Sequence, residues 1–253
     1  LSLLKKRAAV FKASVLVAPK LGSWLGELAD WVYRMPSKRL KVVAITGTSG
    51  KTTTCSMMEA IARAAGFKVG VLGTVGYRVA DKTMPASLTT PQPDQAIGLM
   101  AQMVQAGCQF CFMEATSQAL DMNRLSGIEL NGAIFVNLSR DHLDYHKTMG
   151  KYFQAKSKLF FKILAASSKG SRFAVVNQDD PWGKKLGQSL RKLRGVRRLA
   201  FGFGSLGGVD IEARQIELGL RFTRFRLRLW LRSPAQSWGG RPRRTLKRMG
   251  TSS

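Results

Sequence analysis

Along most of this chain, short apolar runs alternate with longer stretches in which apolar side chains recur every three or four positions. The first pattern reads as strand and the second as helix. Residues 41–46 (Lys-Val-Val-Ala-Ile-Thr) and 67–72 predict strands on either side of a helix over 52–65. Residues 94–106 predict a helix, 109–114 a strand and 132–137 another short apolar strand. Residues 149–164 predict one long amphipathic helix, 173–177 a strand, and a further helix begins after Pro181. Such alternation predicts an α/β fold, a mostly parallel sheet with helices on both faces. Ligands then gather at the carboxyl ends of the strands. Polar clusters fall there: Thr46-Gly47-Thr48 after one strand, Glu114 ending another, and Asn137 with its followers after a third. One active-site rim is expected.

The two ends of the chain read differently. Residues 1–40 are mixed; helical apolar spacing over 26–33 is closed by Met35-Pro36, since proline disfavours helix at the residue before it. Residues 221–232 alternate like a strand with arginine on one face. From Arg221 to Ser253 there are ten Arg and Lys residues and no Asp or Glu. Three readings of this tail are open: a solvated basic segment, an RNA-binding arm with interleaved aromatics, or the product of a reading-frame slip. Arginine excess without carboxylates ranks the last first.

The 253 residues suffice for one or two domains with a real core. A net charge of +26 suits a phosphate-rich partner, small molecule or polynucleotide alike, and does not decide the class. No apolar run approaches the ~20 residues of a membrane span, and the start of the chain lacks a secretory cleavage pattern. The three cysteines, Cys55, Cys108 and Cys111, read as buried thiols of a reducing compartment, so a cytoplasmic location is expected.

The strand at 41–46 runs into Thr46-Gly47-Thr48-Ser49-Gly50-Lys51-Thr52-Thr53. Glycines let backbone N–H groups approach phosphate oxygens, the following helix start favours negative charge, and a hydroxyl after the lysine suits Mg²⁺. The longer form of this motif needs glycine where Ile45 stands, so the match is to a shorter version. It predicts a nucleotide-phosphate loop and ATP as ligand, with Gly47, Thr48, Ser49, Gly50, Lys51, Thr52 and Thr53 around the phosphates.

Four further segments follow in order: Leu88-Thr89-Thr90-Pro91; Phe112-Met113-Glu114-Ala115-Thr116-Ser117-Gln118 with Arg124; Asn137-Leu138-Ser139-Arg140-Asp141-His142-Leu143-Asp144-Tyr145-His146 with Tyr152-Phe153-Gln154-Ala155-Lys156; and Val176-Asn177-Gln178-Asp179-Asp180-Pro181. Together with the phosphate loop they resemble the Mur ligase family, in particular its branch that adds the third amino acid to the peptidoglycan precursor. The resemblance implies an ATP-dependent amide-bond ligase acting on UDP-MurNAc-L-Ala-D-Glu and a free amino acid through an acyl phosphate. It implies Mg²⁺ at Thr52 and Glu114, a second metal position at His142 and Lys156, and Lys156 carried as a carbamate. Catalytic roles fall to Lys51, Glu114, His142 and Lys156. Asn177 is implied to contact the nucleotide, and Thr89, Thr90, Thr116 and Arg124 the UDP-MurNAc-dipeptide. Plain alternatives stand beside these roles: Glu114 a surface carboxylate, His142 and His146 loop histidines, Lys156 a solvated lysine, Arg124 a surface charge, Asn177 an Asx turn. Ser49, Thr116, Gln118 and Met122 depart from the residues usual in the family.

The expected organisation is a remnant of a UDP-binding domain and linker over 1–40, an ATP-binding domain over 41–223, and an out-of-frame or disordered tail over 224–253. The amino-acid-binding domain is absent, so the chain alone is expected to be an inactive, monomeric fragment. Two other readings remain: a phosphate-loop protein with a nucleic-acid-binding tail, and a ligase resembling folylpolyglutamate synthase.

Overall fold

The computed structural model describes residues 24–203, 209–219 and 222–230. The expectations for residues 1–23 and 231–253 lie outside them.

The elements, in chain order, are α1 (Leu25–Val32), α2 (Pro36–Arg39), β1 (Lys41–Thr46), α3 (Lys51–Ala64), β2 (Val69–Gly73), β3 (Gly76–Val79), β4 (Lys82–Met84), α4 (Pro93–Gln105), β5 (Phe110–Glu114), α5 (Ser117–Asp121), β6 (Gly132–Phe135), α6 (Leu143–His146), α7 (Met149–Lys158), β7 (Arg172–Asn177), α8 (Pro181–Leu190), β8 (Val196–Phe203), β9 (Ile211–Leu218) and β10 (Thr223–Leu229). The strands form one ten-stranded sheet in the order β10-β9-β8-β7-β6-β1-β5-β2-β3-β4. From β9 through β2 every pairing is parallel; β3, β4 and β10 add antiparallel edges.

β1 is buried on both faces, as a central parallel strand must be. Val43 and Ile45 pack with Val71, Phe112, Cys55 and Ala62, the last two from α3. Val42 and Ala44 face the larger core, with Met113, Phe135, Leu159 and Phe160. The chain leaves β1 through α3 towards β2 on one side, and β6 lies on the other. The carboxyl end of β1 is therefore the topological switch point, where a doubly wound sheet opens a crevice. All three cysteines are buried and unpaired.

The helix expected over 149–164 changes form. α7 is α-helical to Lys158 and continues as a six-residue π-helix, Leu159–Leu164. The wider turn keeps Leu159, Phe160 and Leu164 in the core, while Lys158 reaches Asp121 at 2.6 Å and Lys162 reaches Asn123 at 2.8 Å. Such segments often mark functional helices; this one begins three residues after Lys156.

The sheet does not stop at the boundary expected at Thr223. β10 pairs antiparallel with β9 through a bulge between Arg224 and Arg226, and Arg224 forms an ion pair with Glu217 at 2.9 Å. That boundary falls inside a hairpin, because arginines on an exposed edge strand leave its backbone free to pair.

Candidate functional site

The residues around the switch point line a cleft of about 610 Å³: Thr48 to Thr53 from the loop after β1, Thr74 after β2, Thr89, Glu114 at the end of β5, Thr116, Gln118 and His142. Gly50 caps α3 with φ of +83°, a left-handed conformation that glycine takes without strain. The turn aims the start of α3 at the cleft. Its first-turn N–H groups have no acceptor within the helix and carry the positive end of its dipole.

Lys51 folds back over the loop, its Nζ donating to the carbonyl oxygens of Gly47 and Thr48, both at 2.9 Å. Lys156 arrives from α7 behind the loop and also donates to Gly47 O, at 2.8 Å. Lys156 is 1% exposed, with Nζ 4.7 Å from the centre of the Tyr152 ring. Burial, and secondarily the charge of Lys51, brings its pKa down to about 7. Burial also lowers the pKa of Lys51, against the pull of Glu114 and Asp141. Lys156 is thus no solvated surface lysine.

Glu114, 1% exposed, is no surface carboxylate either. Thr52 Oγ1 lies 3.0 Å from each carboxylate oxygen, Thr74 N donates to Oε1 at 2.9 Å, and Thr74 Oγ1 donates to Oε2 at 3.2 Å. Gly73 makes room for this carboxylate: a Cβ there would stand 2.4 Å from Oε1. A hydroxyl and a carboxylate in contact beside a phosphate-type loop are the hard oxygen donors that Mg²⁺ takes, so these two residues fit that ion. Among the described residues no three His, Cys, Asp or Glu side chains cluster as a metal site.

The other expected residues divide between the cleft and its supports. His142 lines the cleft in a left-handed conformation, with Nε2 3.4 Å from Asp141 Oδ2. His146 is buried and stacked on Tyr152. Thr89 lines the cleft and its hydroxyl meets that of Thr74 at 3.1 Å. Thr90 is buried; its Oγ1 donates to Glu114 O at 2.8 Å and accepts from Thr116 N at 3.1 Å. Thr116 caps α5, accepting from Ala119 N at 3.3 Å. Arg124 stands behind this wall, donating to Thr90 O at 3.3 Å. Asn177 does not line the cleft. Its Nδ2 donates to Val136 O and its Oδ1 accepts from Asp179 N, each at 2.9 Å, the second bond being an Asx turn.

Three residues given no role in the sequence analysis complete the assembly. Tyr152 OH is 3.2 Å from Thr48 Oγ1, Thr74 holds Glu114, and Asn137 bonds the backbone of the loop. Asn137 alone left a trace, as a polar residue just past a strand's carboxyl end.

The profile of the Mur ligase middle domain matches residues 45–233. A curated relative, the UDP-N-acetylmuramoyl-L-alanyl-D-glutamate–2,6-diaminopimelate ligase of Prochlorococcus marinus (strain MIT 9313), is 39% identical over 206 residues, spanning 81% of this chain and 40% of the relative. The chain thus spans well under half the length of that relative. A solved structure of a ligase with the same name superposes with a TM-score of 0.70 at 26% identity, covering 84% of this chain and 42% of the other. A folylpolyglutamate synthase of Mycobacterium tuberculosis, solved with ADP and AMPPCP, shares the fold at a TM-score of 0.58 and 13% identity, covering 81% of this chain and 51% of the other.

Proposed function

The chain belongs to the Mur ligase family, and on that footing we propose that it carries the nucleotide site of an ATP-dependent ligase extending UDP-MurNAc-L-Ala-D-Glu by one amino acid. The observation that carries this reading is the meeting of Lys51, Thr52 and Glu114 at the switch point of the sheet. It joins a helix start suited to anions, a lysine ammonium and a hard-ion oxygen pair in one cleft.

In this reading the ATP phosphates accept from the first-turn N–H groups of α3, and Lys51 exchanges its loop carbonyls for phosphate oxygens. Thr52 and Glu114 would hold Mg²⁺, which when bound neutralises charge on the transferring phosphoryl group. A carboxylate oxygen of the dipeptide attacks the γ-phosphorus, the bond to the β–γ bridging oxygen breaks, and ADP leaves. The amine of the incoming amino acid then attacks the acyl carbon. Phosphate departs with the C–O bond pair, and the amine gives up a proton. The names of the relatives point to 2,6-diaminopimelate as that amino acid.

Lys156 as a carbamate belongs to the same reading. Its amine, with a pKa of about 7, is substantially neutral near pH 7. A neutral amine adds to CO₂ and loses a proton, turning a cation into an anionic oxygen donor. Thr89 and Thr116 line the dipeptide end of the cleft, and Arg124 and Thr90 support it from behind. ATP and a nucleotide sugar as substrates support a cytoplasmic reaction. No described helix is long and apolar enough to cross a membrane.

A chimera tests the proposal: residues 41–229 replace the matching segment of the Prochlorococcus relative. ATP- and diaminopimelate-dependent extension of UDP-MurNAc-L-Ala-D-Glu, abolished by Lys51→Ala, is the expected result. A folded chimera that binds ATP without making tripeptide would contradict it.

A further inference from the structure

The phosphate loop is held in shape by a side chain outside it. Asn137 follows β6, the strand beside β1, and its amide bonds two consecutive loop residues. Oδ1 accepts from Thr48 N at 3.1 Å and from Ser49 N at 3.0 Å, and Nδ2 donates to Ser49 O at 3.2 Å. Asn137 O also accepts from Thr48 N at 3.1 Å. Asparagine alone among similar-sized side chains offers an acceptor for two donors and a donor for one carbonyl. Aspartate would set an anion against Ser49 O, and leucine would leave Ser49 N and Ser49 O without this partner while Thr48 N kept only its bond to Asn137 O.

We infer that Asn137 is a positioning residue for nucleotide binding: it fixes the loop so that the N–H groups from Gly50 to Thr53 converge on the phosphate. The Thr48 and Ser49 N–H groups are committed to Asn137, which divides the loop into a held half and a binding half. Gly50, at φ +83°, is the pivot between them.

The clamp is itself braced from the next strand. Asn177 Nδ2 donates to Val136 O at 2.9 Å, and Leu138 N donates to Asp180 Oδ2 at 2.9 Å, so both neighbours of Asn137 are tied to the end of β7. Asp180 also caps α8 through Gly183 N. Asn177 thereby also steadies the loop, through its bond to the residue before Asn137. The inference rests on the nucleotide reading of the loop.

Asn131 supplies an internal control. At the other end of β6 its Oδ1 accepts from Val42 N at 3.0 Å, a comparable bridge between β6 and β1 that lies away from the loop. Three chains are compared, each of the full 253 residues: the parent, Asn137→Ala and Asn131→Ala. Two quantities are read: the Kd for Mg-ADP, and amide hydrogen exchange at Thr48 and Ser49 without nucleotide. Asn137→Ala is expected to raise Kd at least tenfold and to speed exchange chiefly at Ser49, since Thr48 N keeps its bond to Asn137 O; Asn131→Ala is expected to change Kd less than twofold. Asn137→Asp, which keeps both accepted bonds, is expected to leave the two amides protected, and it serves if the alanine variant fails to fold. Unchanged affinity in Asn137→Ala, or an equal loss in Asn131→Ala, would overturn the inference. If the parent itself does not bind ADP, the nucleotide reading fails and takes the binding role of Asn137 with it. The exchange rates, which need no ligand, then still report whether Asn137 clamps the loop.

Discussion

The ammonium groups of Lys51 and Lys156 donate to the same acceptor, the carbonyl oxygen of Gly47, at 2.9 and 2.8 Å. One oxygen thus gathers a lysine from the loop and a lysine 109 residues beyond Gly47 itself. Two cations drawn this close disfavour each other, and burial adds to the effect on Lys156.

Lys156 should make stability depend on pH in a defined window. Its pKa falls from 10.5 to about 7 on folding, so between those values the unfolded chain binds more protons than the folded one. Stability therefore rises with pH across the window, and below it this residue adds no further dependence. Urea unfolding in CO₂-free buffer between pH 7 and 9.5 should show the rise in the parent and a flatter profile in Lys156→Met. Parallel profiles would show that Lys156 titrates normally.

Carbamate formation needs the neutral amine, so it should grow as pH rises through about 7. Adding ¹³C-bicarbonate should give a carbamate carbon signal by NMR that Lys156→Met lacks. A signal that survives the substitution would place the modification elsewhere.

Gly73→Ala should uncouple the metal from the nucleotide. The new Cβ would meet Glu114 Oε1 at 2.4 Å and displace the carboxylate from Thr52 and Thr74. Loss of such charge-assisted contacts costs about 1.5–3 kcal/mol, so the gain in ADP affinity from Mg²⁺ should shrink by about tenfold or more. Titrations with and without Mg²⁺ measure that gain directly; an undiminished gain would mean that Glu114 does not serve the metal.

Gly50→Ala places a Cβ on a left-handed residue at the helix cap. Strain of about 1–2 kcal/mol is expected, visible as a Tm lower by roughly 2–8 °C. An unchanged Tm would show that the loop relaxes freely at this point.

The sequence makes the central unit readable because its signals are local. An apolar β-branched run, a glycine turn and a helix start lie end to end from Val42 to Thr54, and β1 and α3 form almost where that pattern places them. The β3–β4 hairpin gives no such warning: it is short, and its turn at Ala80 takes φ +52° without a glycine. β8 opens with Val196-Arg197-Arg198, which breaks apolar alternation, yet parallel pairing with β7 recruits it. The π-helix is hidden because Leu159, Phe160 and Leu164 also suit an α-helical face. In the site, Lys51, Thr52 and Glu114 are legible as polar residues at strand ends. The Asn137 clamp and the Tyr152–Thr48 contact depend on residues about ninety or more positions apart meeting in space, which no local pattern encodes.

One binding curve tests the assignment of this cleft to nucleotide phosphates. The 253-residue chain is titrated with ADP, with and without Mg²⁺, beside its Lys51→Ala variant. Saturable binding strengthened by Mg²⁺ in the parent, and weakened by roughly 100-fold in the variant while both chains unfold cooperatively, is the predicted result. A folded parent that does not bind ADP, or a Lys51→Ala variant that binds it equally well, would contradict the assignment of this cleft to nucleotide phosphates.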